Sequence, residues 1–449
     1  MSEPKIPSRG GRKFRYLLTG LAFSTVALLS ATVGALLAVS MSGTPLRQVQ
    51  LNSMQSAIFG KEEAISYKSL NLPQLSRPLN ILVLGTKILT SEAIEPSPVT
   101  DTGYHTLVNS FEGLSDTMLL LRFDPNGDRL TVLSLPRDTQ TEIEGYGVRK
   151  INEANLHGGA ALTAQTVSNL LEGVPIDRYV RINIQGIEKL IDALGGVTVY
   201  VPKDMKYTDF SQHLYINLKA GKQHLDGEKA VQFLRFRHDT YGDIGRVQRQ
   251  QMLMRSVVEQ ALKPQTILKM PEILSVIKTH IDTNLTAEEL VAMAGFAGQT
   301  PRQNVQMLML PGNFSGDGKK EVSYWLPSPE KIHTMVVQHF DQGTLDGESF
   351  ENTDIRIAIQ NSTNDGEATQ RMVTYLREKG YTNISVDEDQ SEPLKVTRIV
   401  AQNGDDLGAY QLKTLLGVGE VLVESTGKIG SDITLQLGED WQTQAVDSK

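Results

Sequence analysis

No charged side chain occurs between Tyr16 and Leu46, and this gap constrains the chain more than any other feature. Lys5, Arg9, Arg12, Lys13 and Arg15 crowd the positions ahead of it. As a helix, the apolar stretch at residues 17–41 reaches about 37 Å, enough to cross a hydrocarbon core of about 30 Å with some tilt. Basic residues in front and none directly behind predict a single-pass span in the cytoplasmic membrane. Residues 1–16 are then a cytoplasmic tail and everything after 41 is extracytoplasmic. A cleaved signal peptide is the alternative, but its apolar region is usually about 7–15 residues, and residues 35–40 offer only weak small-residue cleavage candidates.

The rest of the 449 residues leaves room for two or three domains at about 150 residues each. Hydrophobic residues at 40% and charged residues at 21% are ordinary globular usage, which excludes a wholly disordered chain. The net charge of -8 repels polyanions, so no nucleic-acid partner is expected and any anion site must be local. The absence of cysteine removes disulfides, thiolate metal sites and Cys nucleophiles. The eight histidines show no pair at metal-ligand spacing.

Residues 42–78, with Pro45, Pro73 and Pro78, read as a stalk with a short helix near 54–67. Short apolar runs at 80–85, 117–123 and 130–135 then read as buried strands, interleaved with helical patterns at 160–171, 187–194 and 246–262. The prediction is α/β: an αβα-type sandwich at 79–300 following one amino-terminal transmembrane helix. A connector at 301–352, a small α+β domain at 353–441 and a tail at 442–449 complete the chain.

The densest chemical signal is arginine. Arg235, Arg237, Arg246 and Arg249 fall in one stretch that holds no lysine between Lys229 and Lys263. Guanidinium grips phosphate oxygens in two places, whereas lysine would serve equally on a solvated face. Arg235 and Arg237 read as alternating along a strand, and Arg246, Arg249 and Gln250 as sharing a helix face. Gly242 and Gly245, ahead of that helix, let the backbone approach an anion. The competing reading is a set of surface ion pairs with Asp239 and Asp243. Arg137 closes one apolar strand, where sites in α/β sheets tend to form. Asp116 opens another and suits a hard cation that holds pyrophosphate. Lys150 and Asn152 add polar groups before a helix.

Residues 80–85, Ser115-Asp116-Thr117, Leu135-Pro136-Arg137-Asp138, Lys150-Ile151-Asn152-Glu153-Ala154, the runs at 193–199 and 218–230, Arg235-Phe236-Arg237-His238 and Gly245-Arg246-Val247-Gln248-Arg249-Gln250 together resemble the LytR-CpsA-Psr family. Residues 354–441 resemble the LytR-type carboxy-terminal domain often attached to it. The resemblance implies a membrane-anchored phosphotransferase. It would move a glycopolymer from a polyprenyl pyrophosphate carrier to peptidoglycan through a phosphodiester bond. Carried over by position, Arg137, Arg235, Arg237 and Arg246 hold the pyrophosphate and Gln250 supports it. Asp116 helps bind Mg²⁺, and Asp243 orients an arginine or assists proton removal. Arg249, Lys150 and Asn152 join as substrate-binding candidates.

One departure stands out: the family commonly carries Asp directly after the first strand, where this chain reads Leu84-Gly85-Thr86-Lys87. Asp101, Asp128 or the Lys87 charge itself could fill that gap. A non-catalytic module that binds the carrier or the wall, and a carrier pyrophosphatase, are the alternative functions. His105, His157 and His238 are nearby, but a lone histidine is more often a structural hydrogen-bonding residue.

Overall fold

A computed structural model of the chain describes residues 49–441, apart from 61–63, 69–71, 87–110, 112, 210–213, 237–242, 316–323, 344–354 and the isolated positions 262, 264, 267–268, 302–303, 388, 391, 403–405, 425 and 429. The expected span at 17–41, the tail at 442–449, Lys87, Asp101, His105, Arg237 and His238 lie outside the described residues. Among the described residues, no helix is long and apolar enough to cross a membrane.

Asn52 caps the short helix α1 (Ser53–Ala57) through a capping box with Gln55. A hairpin of β1 (Ile65–Lys68) and β2 (Leu72–Leu75) follows. This region is not a free stalk. Phe59 is buried with its ring 5.1 Å from that of Tyr179, and Ala64 and Leu75 enter the core, because burying these apolar groups is worth more than leaving them in water.

The main domain is built on β3 (Leu79–Thr86), β4 (Ser115–Asp124) and β5 (Arg129–Leu135), whose near-continuous apolar runs are buried on both faces. The hairpin β6 (Gln140–Ile143) and β7 (Gly147–Lys150) leads into α2 (Glu153–Leu170), β8 (Arg178–Asn183) and α3 (Ile184–Leu194). Four short strands, β9 (Val197–Val201), β10 (Met205–Asp209), β11 (Leu214–Leu218) and β12 (Gly221–Leu225), pair β9 with β12 and β10 with β11. The chain continues through α4 (Gly227–Arg235), α5 (Asp243–Ala261), α6 (Met270–His280), β13 (Ile281–Thr283), α7 (Ala287–Gln299) and β14 (Val305–Met309). It then adds β15 (Gly312–Phe314), β16 (Trp325–Pro327) and α8 (Pro329–Phe340).

Six strands form one sheet in the order β13-β8-β3-β4-β5-β14. Side chains alternate across it. Leu82, Leu84, Leu120 and Leu133 pack against α2 and α8, while Ile81, Leu119 and Val132 cluster with residues of α5 and α7. Helices therefore cover both faces. The expected connector at 301–352 is corrected over most of its length, since β14 pairs in parallel with β5 and α8 buries Ile332, Met335 and Phe340 in the main core. The surrounding Pro and Gly punctuation hides a short apolar strand, Val305-Gln306-Met307-Leu308-Met309.

The carboxy-terminal module runs β17 (Ile357–Asn361), α9 (Ala368–Glu378), β18 (Ile384–Val386), β19 (Arg398–Ala401), α10 (Asp406–Leu416), β20 (Glu420–Val423) and β21 (Ile433–Leu437). Its sheet has the order β18-β17-β21-β19-β20 and is parallel except between β19 and β21. The expected α+β arrangement is thus an alternating α/β one, because helices provide the β17–β18 and β19–β20 crossovers that parallel pairing needs. The two sheets meet at their edges, where Met307 of β14 makes a parallel bridge to Glu424, the residue after β20.

Candidate active site

β4 begins where β5 ends, so the antiparallel pair brings Asp116 beside the turn that follows Leu135. The backbone of that turn is held from several sides. Thr139 N donates to Pro136 O at 3.0 Å, Asn152 N to Arg137 O at 3.2 Å and Trp325 N to Asp138 O at 2.9 Å. Arg137 Nη1 donates to Asp116 Oδ1 at 2.8 Å and its Nε to Asp138 Oδ2 at 3.3 Å. Lys150 Nζ donates to the other Asp138 oxygen at 2.8 Å and lies 5.4 Å from the centre of the Tyr324 ring. Asp116, Arg137, Asp138 and Lys150 thus form an ordered chain of alternating charge, each side chain partly open to solvent.

Two cavities meet at this chain. One is an apolar cleft between α5 and the strands, walled by Leu119, Val132, Met254, Met307 and Phe314 and lined also by Asp116 and Arg137. The other is more polar and takes in Asp116, Tyr207, Asp209, Arg235 and Gln250. Asp116, Thr117 and Gln250 line both. An apolar cleft joined to a more polar cavity suits a ligand with one apolar end and one charged end. Gly85 keeps the shared wall close, since a Cβ there would come within 3.0 Å of Thr117 Cβ.

Arg235 reaches the site from a different element than the sequence pattern suggested. It ends helix α4, capped at its start by Asp226, whose side chain accepts from Lys229 N at 2.9 Å. The Lys229 amide holds the Asp226 carboxyl below the usual carboxylate range, although burial opposes this. Gly227, Ala230, Val231 and Phe233 bury one helical face, which overrides a strand reading. A basic residue in the last turn also suits the negative end of the helix dipole.

Helix α5 begins at Asp243, three residues before Arg246, so Gly245 lies inside its first turn rather than ahead of it. The side chains of Asp243 and Arg246 lie outside the described residues. Arg249 and Gln250 part company. Arg249 is buried, donates from Nη2 to Phe236 O and lies 5.6 Å from the centre of the Phe236 ring, fastening α5 to the end of α4. Gln250 faces the cavities, as a 100° step between neighbours on a helix requires. Asn152 is also withdrawn: it is buried behind the turn and lines neither cavity. Asp128 is excluded as a partner of Asp116, because it sits in the β4–β5 turn at the far end of the hairpin.

Several residues of the site escaped the sequence reading, Thr426 of the cleft wall among them. Asp209 and Tyr207 enter from hairpin β10–β11, a polar alternation with nothing to mark it as functional. Gln251, buried in the apolar cleft, has neither side-chain nitrogen nor oxygen hydrogen-bonded. No group of three potential metal ligands occurs among the described residues. Asp116, with Asp209 in the same cavity, nevertheless fits magnesium, which uses one or two carboxylates when phosphates and water fill the remaining positions.

The LytR_cpsA_psr family model matches residues 47–340, and a model described as LytR cell envelope-related transcriptional attenuator matches residues 354–441. A relative from Oceanobacillus iheyensis, named polyisoprenyl-teichoic acid–peptidoglycan teichoic acid transferase TagU, is 35% identical over 231 residues, 50% of this chain and 69% of the relative. The Bacillus subtilis protein named as the corresponding transferase TagV is 29% identical over 238 residues, 51% of this chain and 61% of its own. The crystal structure of B. subtilis TagV aligns at 26% identity and a TM-score of 0.49, covering 60% of this chain and 99% of that one. With the first family model spanning well over half of its length, the chain belongs to the LytR-CpsA-Psr family.

Proposed function

We propose that this protein transfers a glycopolymer from a polyprenyl pyrophosphate carrier to peptidoglycan, joining them by a phosphodiester bond. Supporting this are the names of its relatives and one observation above all: an apolar cleft and an arginine-bearing polar cavity share the Asp116 and Gln250 wall, with Arg137 beside it. The prenyl chain lies along Val132 and Met307, and the diphosphate lies between Arg137 and Arg235. Anchorage by the span at 17–41 places this cleft within reach of a lipid carrier.

A sugar hydroxyl of peptidoglycan attacks the phosphorus that bears the polymer. Its oxygen bonds to that phosphorus, the bridging P–O bond breaks, and polyprenyl phosphate departs while the hydroxyl proton passes to a base. Little covalent help is needed, because positioned cations stabilise the charge that builds on the phosphoryl oxygens. Arg137 supplies one such cation. Asp116 and Asp138 fix its fork and share its charge until the diphosphate enters. Arg235 and Gln250 approach from the other cavity; the family resemblance adds Arg237 and Arg246 as further cations for the diphosphate and Asp243 as the partner of an arginine. Lys150, held by Asp138, stands at the outer edge to meet the polymer. Magnesium, held by Asp116, would neutralise further diphosphate charge when bound.

The test is transfer by the purified full chain from a synthetic polyprenyl-pyrophosphate-linked oligosaccharide to peptidoglycan fragments, with products identified by mass spectrometry. A phosphodiester-linked product and free polyprenyl phosphate are expected. Release of phosphorylated sugar to water alone would favour the carrier pyrophosphatase, and tight binding without turnover the non-catalytic module.

A further inference from the structure

The carboxy-terminal module reaches the apolar cleft through a built contact. Next to the bridge between Met307 and Glu424, the Glu424 carboxylate is buried and accepts from Arg255 Nη1 at 2.7 Å and from Thr426 Oγ1 at 3.1 Å. Arg255, on α5, also donates from Nε to Glu259 Oε1 at 3.1 Å. Burial pulls the Arg255 pKa down, but Glu424 and then Glu259 outweigh it and hold it above its ordinary value. A buried ion pair that lost one partner would leave an uncompensated charge, so this contact ties the module to α5 in one geometry.

Thr426 then forms part of the cleft wall. The segment that carries it is fixed from behind. Gly427 N donates to Gln402 Oε1 at 3.1 Å, Lys428 N to Thr434 Oγ1 at 3.0 Å, and Gln402 Nε2 to Lys428 O at 2.8 Å. A Cβ on Gly427 would fall 2.4 Å from Thr434 Oγ1, so glycine is what lets this segment lie so close to its own sheet.

A second, independent observation lies in the same cleft. Gln251 is 7% exposed, and both heteroatoms of its amide are without a hydrogen-bond partner. Buried polar groups are nearly always paired, and leaving them unpaired costs stability. The amide lines the same pocket as Asp116 and Arg137. A ligand oxygen placed there would accept from its Nε2.

We propose that the carboxy-terminal module is a working part of the carrier site. Thr426, set by the Glu424–Arg255 pair, closes one side of the apolar cleft and fixes the width available to a prenyl chain. Gln251 Nε2 donates to the phosphate oxygen nearest that chain. This inference rests on the reading of the cleft as the place where a polyprenyl diphosphate binds.

The experiment titrates the full chain, solubilised in detergent, with farnesyl pyrophosphate and separately with inorganic pyrophosphate by calorimetry, alongside thermal unfolding. Thr426→Trp should weaken farnesyl pyrophosphate about tenfold, the size expected of overfilling a packed site, and leave inorganic pyrophosphate unchanged. Gln251→Leu should weaken farnesyl pyrophosphate about tenfold while raising Tm by a few degrees, because it removes an unpaired buried amide. An amide that only supported the fold would lower Tm on the same change. Unaltered farnesyl pyrophosphate binding in a folded Thr426→Trp protein would overturn the role of the module, and a lowered Tm with unaltered binding in Gln251→Leu would overturn that of the amide. If the unsubstituted protein binds both ligands equally, the prenyl cleft is wrong and the diphosphate site stands. If it binds neither, the carrier reading falls and takes this inference with it.

Discussion

A buried glutamine of helix α5 and the buried glutamines of the carboxy-terminal module are treated in opposite ways. In the carboxy-terminal module, Gln402 is 3% exposed and bonded at both ends of its amide, to Gly427 N and Lys428 O. Gln436 donates to Gln360, which in turn donates to Asp387. In the larger domain, Gln251 lies in the cleft with neither end met. The arginines differ in setting rather than in pairing. Arg356 is locked onto Asp432 by two hydrogen bonds and Arg371 onto Asp365 at the surface of the small sheet, whereas Arg137, itself paired with Asp116 and Asp138, lines an open cleft. Hydrogen-bonding capacity that a protein satisfies internally serves its fold, and capacity left facing a cavity is available to a ligand.

That contrast makes the largest expected effect a difference between two arginines. Arg137→Ala should lower kcat/KM for glycopolymer transfer about 10²–10³-fold, the usual loss when one preorganised donor to a reacting centre is removed. Arg371→Ala should leave kcat/KM within about twofold, since exposed ion pairs contribute little. Equal losses would abolish the distinction between the two regions. Next in size, Gln402→Leu should destabilise the protein by about 1–3 kcal/mol in denaturant unfolding, because it strands Gly427 N and Lys428 O, where the same change at Gln251 stabilises. Asp226→Ala should cost about 1 kcal/mol through loss of the α4 cap, and should lower transfer by loosening Arg235.

The smallest effect concerns pH. Burial pushes the Asp432 carboxyl up, but hydrogen bonds from Arg356 and from Lys331 of α8 outweigh it and hold it well below the ordinary carboxylate range. A carboxyl depressed in the folded state contributes stability that is fully present above its unfolded value of about 3.9 and is lost as pH falls through the folded value. Asp432→Asn should therefore be less stable than the parent near neutral pH, and the two unfolding curves should converge under strong acid. A difference that persisted unchanged at the lowest pH would assign the effect to packing instead.

Much of this was legible in the sequence because the strands of the main sheet are continuous apolar runs and Asp116 and Arg137 sit at their ends. Antiparallel pairing of two neighbouring strands needs little more than that. Arg235 was misplaced because Leu234-Arg235-Phe236-Arg237 alternates like a strand, while its helix is decided upstream by the Asp226 cap and the buried face of Ala230 and Phe233. Arg249 and Gln250 looked alike in a polar run, and only the packing of Phe236 separates them. Asp209, Gln251 and Thr426 were invisible for a further reason: each becomes part of the site through contacts between segments far apart in the chain, and no local pattern encodes those.

The most direct measurement is a crystal structure of the protein soaked with farnesyl pyrophosphate. The account predicts both phosphorus atoms between Arg137 and Arg235, with the prenyl chain running along Val132 and Met307 past Thr426. Diphosphate bound elsewhere, with the Asp116–Arg137 pair undisturbed and the cleft filled only by solvent, would contradict it.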